Sequence, residues 1–312
     1  MKIIKLETTF IQPRWLFLKI HTDEGLVGYG EPIVEGRART VAAAVHEMEE
    51  YLIGKNPLEI NRHWQILYRG TFYRGGPVLT SALSGVEQAL WDIKGKYHGV
   101  PVYQLLGGAV RDRIRVYAHA SGDTIESYIQ RANEQIALGF TALKTSFSGP
   151  VREIDTPAFV KRCVEKIAAI RGGIPDHVDL AVDLHGRFSP AMAIRLAKEL
   201  EPFNLLFLEE PCLPENVDAL AKIAQSTSIP IAAGERLFTR WGFRELLEKQ
   251  AVAVVQPDTC HCGGIQEAIR IANMAETYYA AIAPHNPLGP ISLAACLQVD
   301  ACVPNFLCQE QV

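Results

Sequence analysis

Five residues in the second half of the chain, Asp183, Glu209, Glu235, Asp258 and His285, each close a short apolar run: VDLAVD, LLFLE, IPIAAGE, AVAVVQPD and YYAAIAPH. The steps between them are 26, 26, 23 and 27 residues. The first three are carboxylates. An all-oxygen donor set suits a hard divalent cation, Mg²⁺ or Mn²⁺, and not zinc, which favours thiolate and imidazole. One acid at a strand end is an ordinary feature; three in succession, each behind an apolar strand, point to a metal site. Asp258 and His285 form a second group. A carboxylate bonded to one imidazole nitrogen fixes the tautomer and makes the other nitrogen a better base. His185 stands two residues past Asp183, where strand alternation aims both at one mouth, opposite His285. An imidazole there reads as a general acid, or else as a rim histidine in solvent.

A proton α to a carboxylate is weakly acidic because its removal creates a dianionic enediolate. A divalent cation on that carboxylate stabilises the developing charge. With His285 as base and His185 helping a β-hydroxyl leave as water, the product enol tautomerises to a 2-keto-3-deoxy acid. The set therefore fits dehydration of a hydroxylated carboxylate.

Each of the five runs is followed by a turn-prone segment (HGRFSP, EPCLPEN, RLFTRWG, TCHCGG, NPLGP) and then an amphipathic helical pattern. Strand then helix at this period is the sequence form of parallel βα units, and several such units with polar strand ends predict a (β/α)₈-type barrel with its site at that rim. The five runs are the third to seventh strands. The first strand is expected at 114–120 with a helix at 125–138, and the second at 140–147, putting Lys144 and Ser146 on one face, with a helix at 157–170. NFLCQEQ (305–311) is the eighth, ending in Gln309 and Glu310. Lys144 reads equally as a substrate contact or a structural lysine.

Residues 1 to about 30 alternate as a small antiparallel sheet with a hairpin turn at Asp23, Glu24 and Gly25. A loop at Pro13 carries Arg14 and Trp15. Helical periodicity follows at 38–53, 58–68 and 79–98, with glycine-rich GTFYRGGP (70–77), carrying Tyr73 and Arg74, before the last. The α/β chain thus divides into an N-terminal α+β unit, 1–110, and a barrel unit, 111–312.

Composition bounds the rest. A chain of 312 residues, 48% apolar, buries a large core. A net charge of −4 with no basic stripe argues against nucleic acid or an anionic membrane as the main partner. Seven cysteines without a disulfide-framework spacing point to free thiols in a reducing cytoplasm. No apolar run approaches the roughly 18 residues of a membrane span, and MKIIKLETTF lacks a signal peptide's unbroken apolar stretch. Cys260-His261-Cys262 has no second cluster at zinc-finger spacing and reads as loop thiols. The glycine pairs match no phosphate-binding motif, and Trp64 and Trp91 read as core.

The segments AVDLHGRFSP, FLEEPCLPEN, PIAAGERLFTRWGF, VVQPDTCHCGGI and APHNPLGP, with LVGYGEP and EGRARTVAAAVHE upstream, resemble the enolase superfamily and, within it, the mandelate racemase subgroup. They are most similar to its members that dehydrate the sugar acid D-galactonate. The pairing of Mg²⁺ with a histidine or lysine base is general to that superfamily. The resemblance implies metal ligands at Asp183, Glu209 and Glu235, a base dyad of His285 and Asp258, and an acid at His185. It implies that Glu310 helps bind or polarise the substrate carboxylate. It also implies a capping unit whose loops, around Arg14 and Trp15 and around Tyr73 and Arg74, close over the barrel and set specificity. Other aldonate dehydrations or an epimerisation belong to the same chemistry, and a catalytically incomplete binding protein is the alternative from another class. Many relatives carry K-x-K on the second strand where this chain has Lys144 and Ser146, so two-base racemisation would run between His285 and Lys144 or not at all. Relatives add a last barrel helix after the eighth strand. Its absence here leads to the expectation of a fragment with apolar strand surface uncovered. Homo-oligomers are frequent among such relatives, while this sequence carries no signal of oligomeric state.

Overall fold

The computed structural model of the chain describes residues 1–311. It opens with an antiparallel sheet in the order β1 (Ile3–Ile11), β2 (Trp15–Thr22), β3 (Val27–Gly30). Strict alternation on β2 buries Leu16, Leu18, Ile20 and Thr22 on one face. Helices α1 (Ala38–Glu47), α2 (Glu49–Leu52), α3 (Ile60–Arg69), α4 (Gly76–His98) and α5 (Val102–Leu105) follow. The single helix expected at 38–53 is divided at Met48, and the one expected from 79 starts earlier, at Gly76, with Pro77 in its first turn where a missing N–H is harmless. Gly99, at φ +69°, ends α4 in the left-handed conformation that glycine adopts without strain. The sheet rests directly on α4. A Cβ on Gly30 would lie 1.9 Å from the Gly85 carbonyl oxygen, and one on Gly28 2.0 Å from that of Ala89. Only glycine permits this approach of strand to helix.

The barrel then alternates strictly: β4 (Val116–His119), α6 (Ile125–Ala137), β5 (Ala142–Ser146), α7 (Pro157–Gly172), β6 (Asp179–Asp183), α8 (Pro190–Leu200), β7 (Leu208–Glu209), α9 (Val217–Ala224), β8 (Ile231–Ala233), α10 (Thr239–Glu248), β9 (Val254–Val255), α11 (Ile265–Thr277), β10 (Ala281–Ile282), α12 (Pro290–Cys302) and β11 (Gln309–Glu310). Hydroxyl and amide caps at Thr124, Thr156, Ser189 and Asn216 start α6 to α9, as the polar strand–helix junctions predict. The eight parallel strands run in the order β10-β9-β8-β7-β6-β5-β4-β11. Ile282 bridges Phe306, with the Ile282 N–H donating to Asn305 (2.9 Å) and the Leu307 N–H to Ile282 (2.8 Å), which joins the last strand back to β10 and closes the ring.

Inside the ring one residue from each strand segment forms a plug: Tyr117, Ala142, Ala181, Phe207, Ala232, Val254, Ala283 and Cys308. Two large rings among mostly small side chains fill the taper. The outward residues join the larger core under the helices and the N-terminal sheet. Among the described residues no helix follows β11. Beside β11, Ala118 is buried, and the half-buried Phe306 lies under the Arg111 guanidinium at 4.9 Å. No helix among the described residues is long and apolar enough to cross a membrane.

Candidate active site

The pleat places residues i and i+2 on one face. Two residues beyond each plug position the chain therefore presents another inward side chain: His119, Lys144, Asp183, Glu209, Gln256, His285 and Glu310. Glu235 breaks this count, standing three residues past Ala232. Gly234 takes φ +145°, and a Cβ there would meet the Phe243 ring at 2.7 Å and the Gln256 backbone at 2.9 Å. That glycine turns the strand end so that Glu235 joins the cluster.

Asp183, Glu209 and Glu235 each offer an oxygen within 4.8 Å of the other two. Glu209 Oε2 and Glu235 Oε2 are buried without a hydrogen-bond partner. Two orphaned carboxylate oxygens among three converging acids form a donor set that fits a hard cation. Charge agrees: five carboxylates (these three, Asp258 and Glu310) face the one ammonium of Lys144 and the imidazoles of His119, His185 and His285. Burial pushes the Glu209 carboxyl well above its ordinary range against the pull of Lys144, and Asp183, Glu310 and Glu235 add to the rise. A ligand of charge +2 removes that conflict.

Lys144 is buried and donates to Glu209 Oε1 (2.7 Å) and Glu310 Oε1 (3.0 Å), with Asp183 Oδ2 at 3.3 Å. Burial works against its charge, but Glu209 and its neighbours raise it well above the ordinary lysine value. Glu310 is the most fully bonded acid: Oε1 also meets His119 Nε2 (3.0 Å), and Oε2 accepts the Asn286 N–H (2.8 Å). Although burial disfavours its charge, Lys144, His285 and His119 hold its carboxyl well below the usual range.

On the opposite wall, His285 Nδ1 lies 2.8 Å from Asp258 Oδ2, and its Nε2 faces Glu235 Oε2 at 3.6 Å. Burial lowers the basicity of this imidazole, yet Glu235, Glu310 and the bond to Asp258 outweigh it and raise it to about 10. Much of that lift comes from Glu235, whose charge a bound cation would take up. His185 adopts φ +51° and is half exposed. Simple strand alternation does not carry its ring into the mouth. The left-handed turn folds the imidazole back, so that Nε2 sits 3.1 Å from Asp183 Oδ2.

The N-terminal loops reach the rim unequally. Arg14 donates to the Pro287 carbonyl, two residues past His285, and lies 3.4 Å from Glu35. Trp15 stacks on Phe17 (5.9 Å) at the start of β2. Tyr73 is 82% exposed, edge-on to Phe72, and meets none of the acids. His119 was not among the expected site residues. Its signal in the sequence is a polar strand end two residues past the plug, on a strand whose tip carries no carboxylate. The Cys260-His261-Cys262 segment is a loop, as expected, but it is buried and held by the N-terminal unit. Trp64 Nε1 donates to the Gly263 carbonyl (2.8 Å), and the Gly263 N–H to Ser84 Oγ (2.9 Å). The Ile265 and Gln266 N–H groups donate to Glu87 (2.7 and 2.9 Å). Glu31 does the same for α12, accepting from Gly289 (2.7 Å) and Ser292 (2.9 Å). Two buried carboxylates of one unit thus cap two helices of the other.

Comparison with known proteins agrees with this architecture. Residues 127–312 match the model of the enolase C-terminal domain-like family, and residues 4–107 that of the mandelate racemase/muconate lactonizing enzyme N-terminal domain. A D-galactonate dehydratase of Xanthomonas axonopodis pv. citri is 52% identical over 311 residues, covering 100% of this chain and 81% of the relative. A mandelate racemase/muconate lactonizing enzyme-like protein of Rubrobacter xylanophilus superposes with a TM-score of 0.95 at 39% identity, over 99% of this chain and 86% of that one. An enolase of Agrobacterium radiobacter, solved with sodium and L-malate bound, superposes with a TM-score of 0.95 at 32% identity, over 100% of this chain and 81% of that one. With both units matched and the acids of the barrel mouth converging, the chain belongs to the mandelate racemase/muconate lactonizing enzyme family of the enolase superfamily and is an enzyme of dehydratase type.

Proposed function

We propose that the chain is a Mg²⁺-dependent dehydratase of a sugar acid, converting D-galactonate to 2-dehydro-3-deoxy-D-galactonate and water. The observation that carries this reading is the pairing of three converging carboxylates with a His285–Asp258 dyad on the facing wall. Asp183, Glu209 and Glu235 would hold the cation, which, when bound, supplies the positive charge that stabilises an enediolate. The substrate identity rests on the 52% identical relative, and the L-malate bound with sodium in the Agrobacterium protein is consistent with a hydroxylated carboxylate as substrate class.

In this reading His285 Nε2 takes the C2 proton, since Asp258 fixes the proton on Nδ1. His185, half exposed, delivers a proton to the departing 3-hydroxyl. Lys144 faces the substrate carboxylate end, and Glu310, oriented by His119 and the Asn286 N–H, helps bind it by holding the Lys144 ammonium in place. Arg14 and Trp15, with Tyr73 on the second loop, form the specificity rim of the capping unit. Epimerisation is the less favoured alternative. A second base on the opposite face would have to be Lys144, and its three carboxylate neighbours keep that ammonium protonated.

The test is solvent deuterium exchange at C2 with D-galactonate and a panel of aldonic acids. His285→Asn should abolish exchange, whereas His185→Asn should keep exchange and lose water elimination. Equal, mild losses in both variants would contradict these roles, and exchange without keto-acid formation in the parent chain would favour epimerisation.

A further inference from the structure

The loop after β9 holds a second imidazole on the far side of the dyad. Immediately past Asp258 the chain turns tightly: the His261 and Cys262 N–H groups both donate to the Asp258 carbonyl, at 2.9 and 2.7 Å. This turn brings the His261 ring back over the carboxylate, with Nε2 3.7 Å from Asp258 Oδ2, the oxygen that also meets His285 Nδ1 at 2.8 Å. The other oxygen, Oδ1, is held by the Cys260 N–H at 2.6 Å. His261 Nδ1 in turn lies 2.9 Å from Ser81 Oγ, on α4 of the N-terminal unit. Ser81 and Asp258 are fully buried and His261 nearly so.

The tautomer follows from the hydroxyl. Among the described residues Ser81 Oγ has no hydrogen-bond partner besides His261. If Nδ1 carried the imidazole's proton, the buried hydroxyl hydrogen would be left without an acceptor, and a buried unpaired donor is unfavourable. The Nε2 lone pair would also face the lone pairs of Asp258. With the hydroxyl donating to Nδ1, both conflicts vanish and Nε2–H points at Oδ2. At 3.7 Å this contact is longer than a hydrogen bond, but in a site closed to water its electrostatic pull on the carboxylate is weakly screened.

We propose that Ser81 and His261 are positioning residues for the Asp258–His285 dyad, so that helix α4 of the N-terminal unit takes part in aiming the base. The inference rests on reading His285 as the base. The carboxylate is fixed at Oδ1 by Cys260 and drawn at Oδ2 from one side by His261, which leaves a single orientation in which Oδ2 meets His285. Gln88, Ser84, Trp64 and Glu87 grip the same loop around this contact, so the pull is exerted from a rigid frame.

The experiment compares His261→Phe, His261→Gln and Ser81→Ala in the full chain loaded with Mg²⁺, by kcat, KM and C2 deuterium exchange. His261→Phe should lower kcat and exchange together by on the order of 10- to 100-fold with KM little changed, as expected for a misaimed base. His261→Gln, whose amide N–H occupies the Nε2 position, should restore most of the loss, and Ser81→Ala should fall between. Equal defects in the Phe and Gln variants, wild-type kcat in folded Ser81→Ala, or a loss carried by KM would overturn the proposal. Should His261→Phe fail to fold, Ser81→Ala decides alone, because alanine suits a helix and removes only the hydroxyl. Retained exchange in His285→Asn would instead remove the reading of the base itself.

Discussion

Asp258 and His285 are paired twice. Their backbones form a parallel bridge beyond the ends of β9 and β10, and their side chains meet at 2.8 Å between Oδ2 and Nδ1. The imidazole is thus positioned from both its main chain and its ring. Asp258→Asn tests what the second contact does. The Cys260 N–H, 2.6 Å from Oδ1, requires an oxygen there, so the asparagine amide must turn its NH₂ toward His285. Nδ1 then has to accept, the ring proton moves to Nε2, and the base is lost with the geometry intact. The rate of C2 exchange should fall on the order of 10²- to 10⁴-fold. A rate within about tenfold of the parent would show that the tautomer does not matter.

Lys144 is the counter-charge to the acids, and its removal should expose the need for a cation. In Lys144→Met three buried carboxylates lose their ammonium partner. Breaking such a buried pair destabilises by about 3–5 kcal/mol. Because a divalent ion would restore positive charge beside two of these carboxylates, Asp183 and Glu209, Mg²⁺ should raise the Tm of this variant more than that of the parent chain, and EDTA should lower it more. Equal Mg²⁺ shifts in the two proteins would mean that Lys144 and the ion do not share these carboxylates.

The barrel and most of its mouth were legible because both rest on local rules. Apolar runs ending in Asp183, Glu209, Asp258, His285 and Glu310 carry the period-2 geometry directly. What escaped depended on conformation or on distant partners. The φ +51° at His185, which folds its ring back onto Asp183, cannot be read from alternation. The roles of Glu31, Glu87 and Ser81 become visible only when the N-terminal unit is seated, since each has its partner more than 150 residues away, at Gly289, Ile265 and His261. Cys260-His261-Cys262 reads from the sequence as loop thiols, and the contacts of its histidine with Ser81 and Asp258 lie outside what that spacing can show.

The contact between β3 and α4 is as demanding as any in the site. Gly30→Ala would place a methyl 1.9 Å from the Gly85 carbonyl oxygen, a backbone atom that cannot move aside alone. Overpacking of this kind destabilises by about 1–3 kcal/mol, measured as a fall in the urea midpoint. Since α4 also carries Ser81, Ser84, Glu87 and Gln88, whose bonds hold the loop after Asp258, kcat should fall as well. A Gly30→Ala protein with both values unchanged would mean that the strand can withdraw from the helix freely.

The caps at Glu31 and Glu87 give the junction between the units a pH dependence with a definite sign. Burial pushes each carboxyl up to about 7, from an ordinary 4.5, despite the backbone N–H groups of α12 and α11 that favour the charged form. Between those two values the folded chain holds protons that the unfolded chain has released. The unfolded state then binds fewer protons, so stability falls as pH rises from about 4.5 to about 7 on account of these two groups. Their contribution is fully present below the unfolded value and lost once pH passes the folded one. In Glu31→Gln/Glu87→Gln the same helix N–H groups find amide oxygens that do not titrate. The slope of unfolding free energy against pH over that interval should become less negative than in the parent, as read from urea denaturation at several pH values. An unchanged slope would mean that both carboxylates stay ionised at the helix ends throughout, with the caps acting as fixed charges.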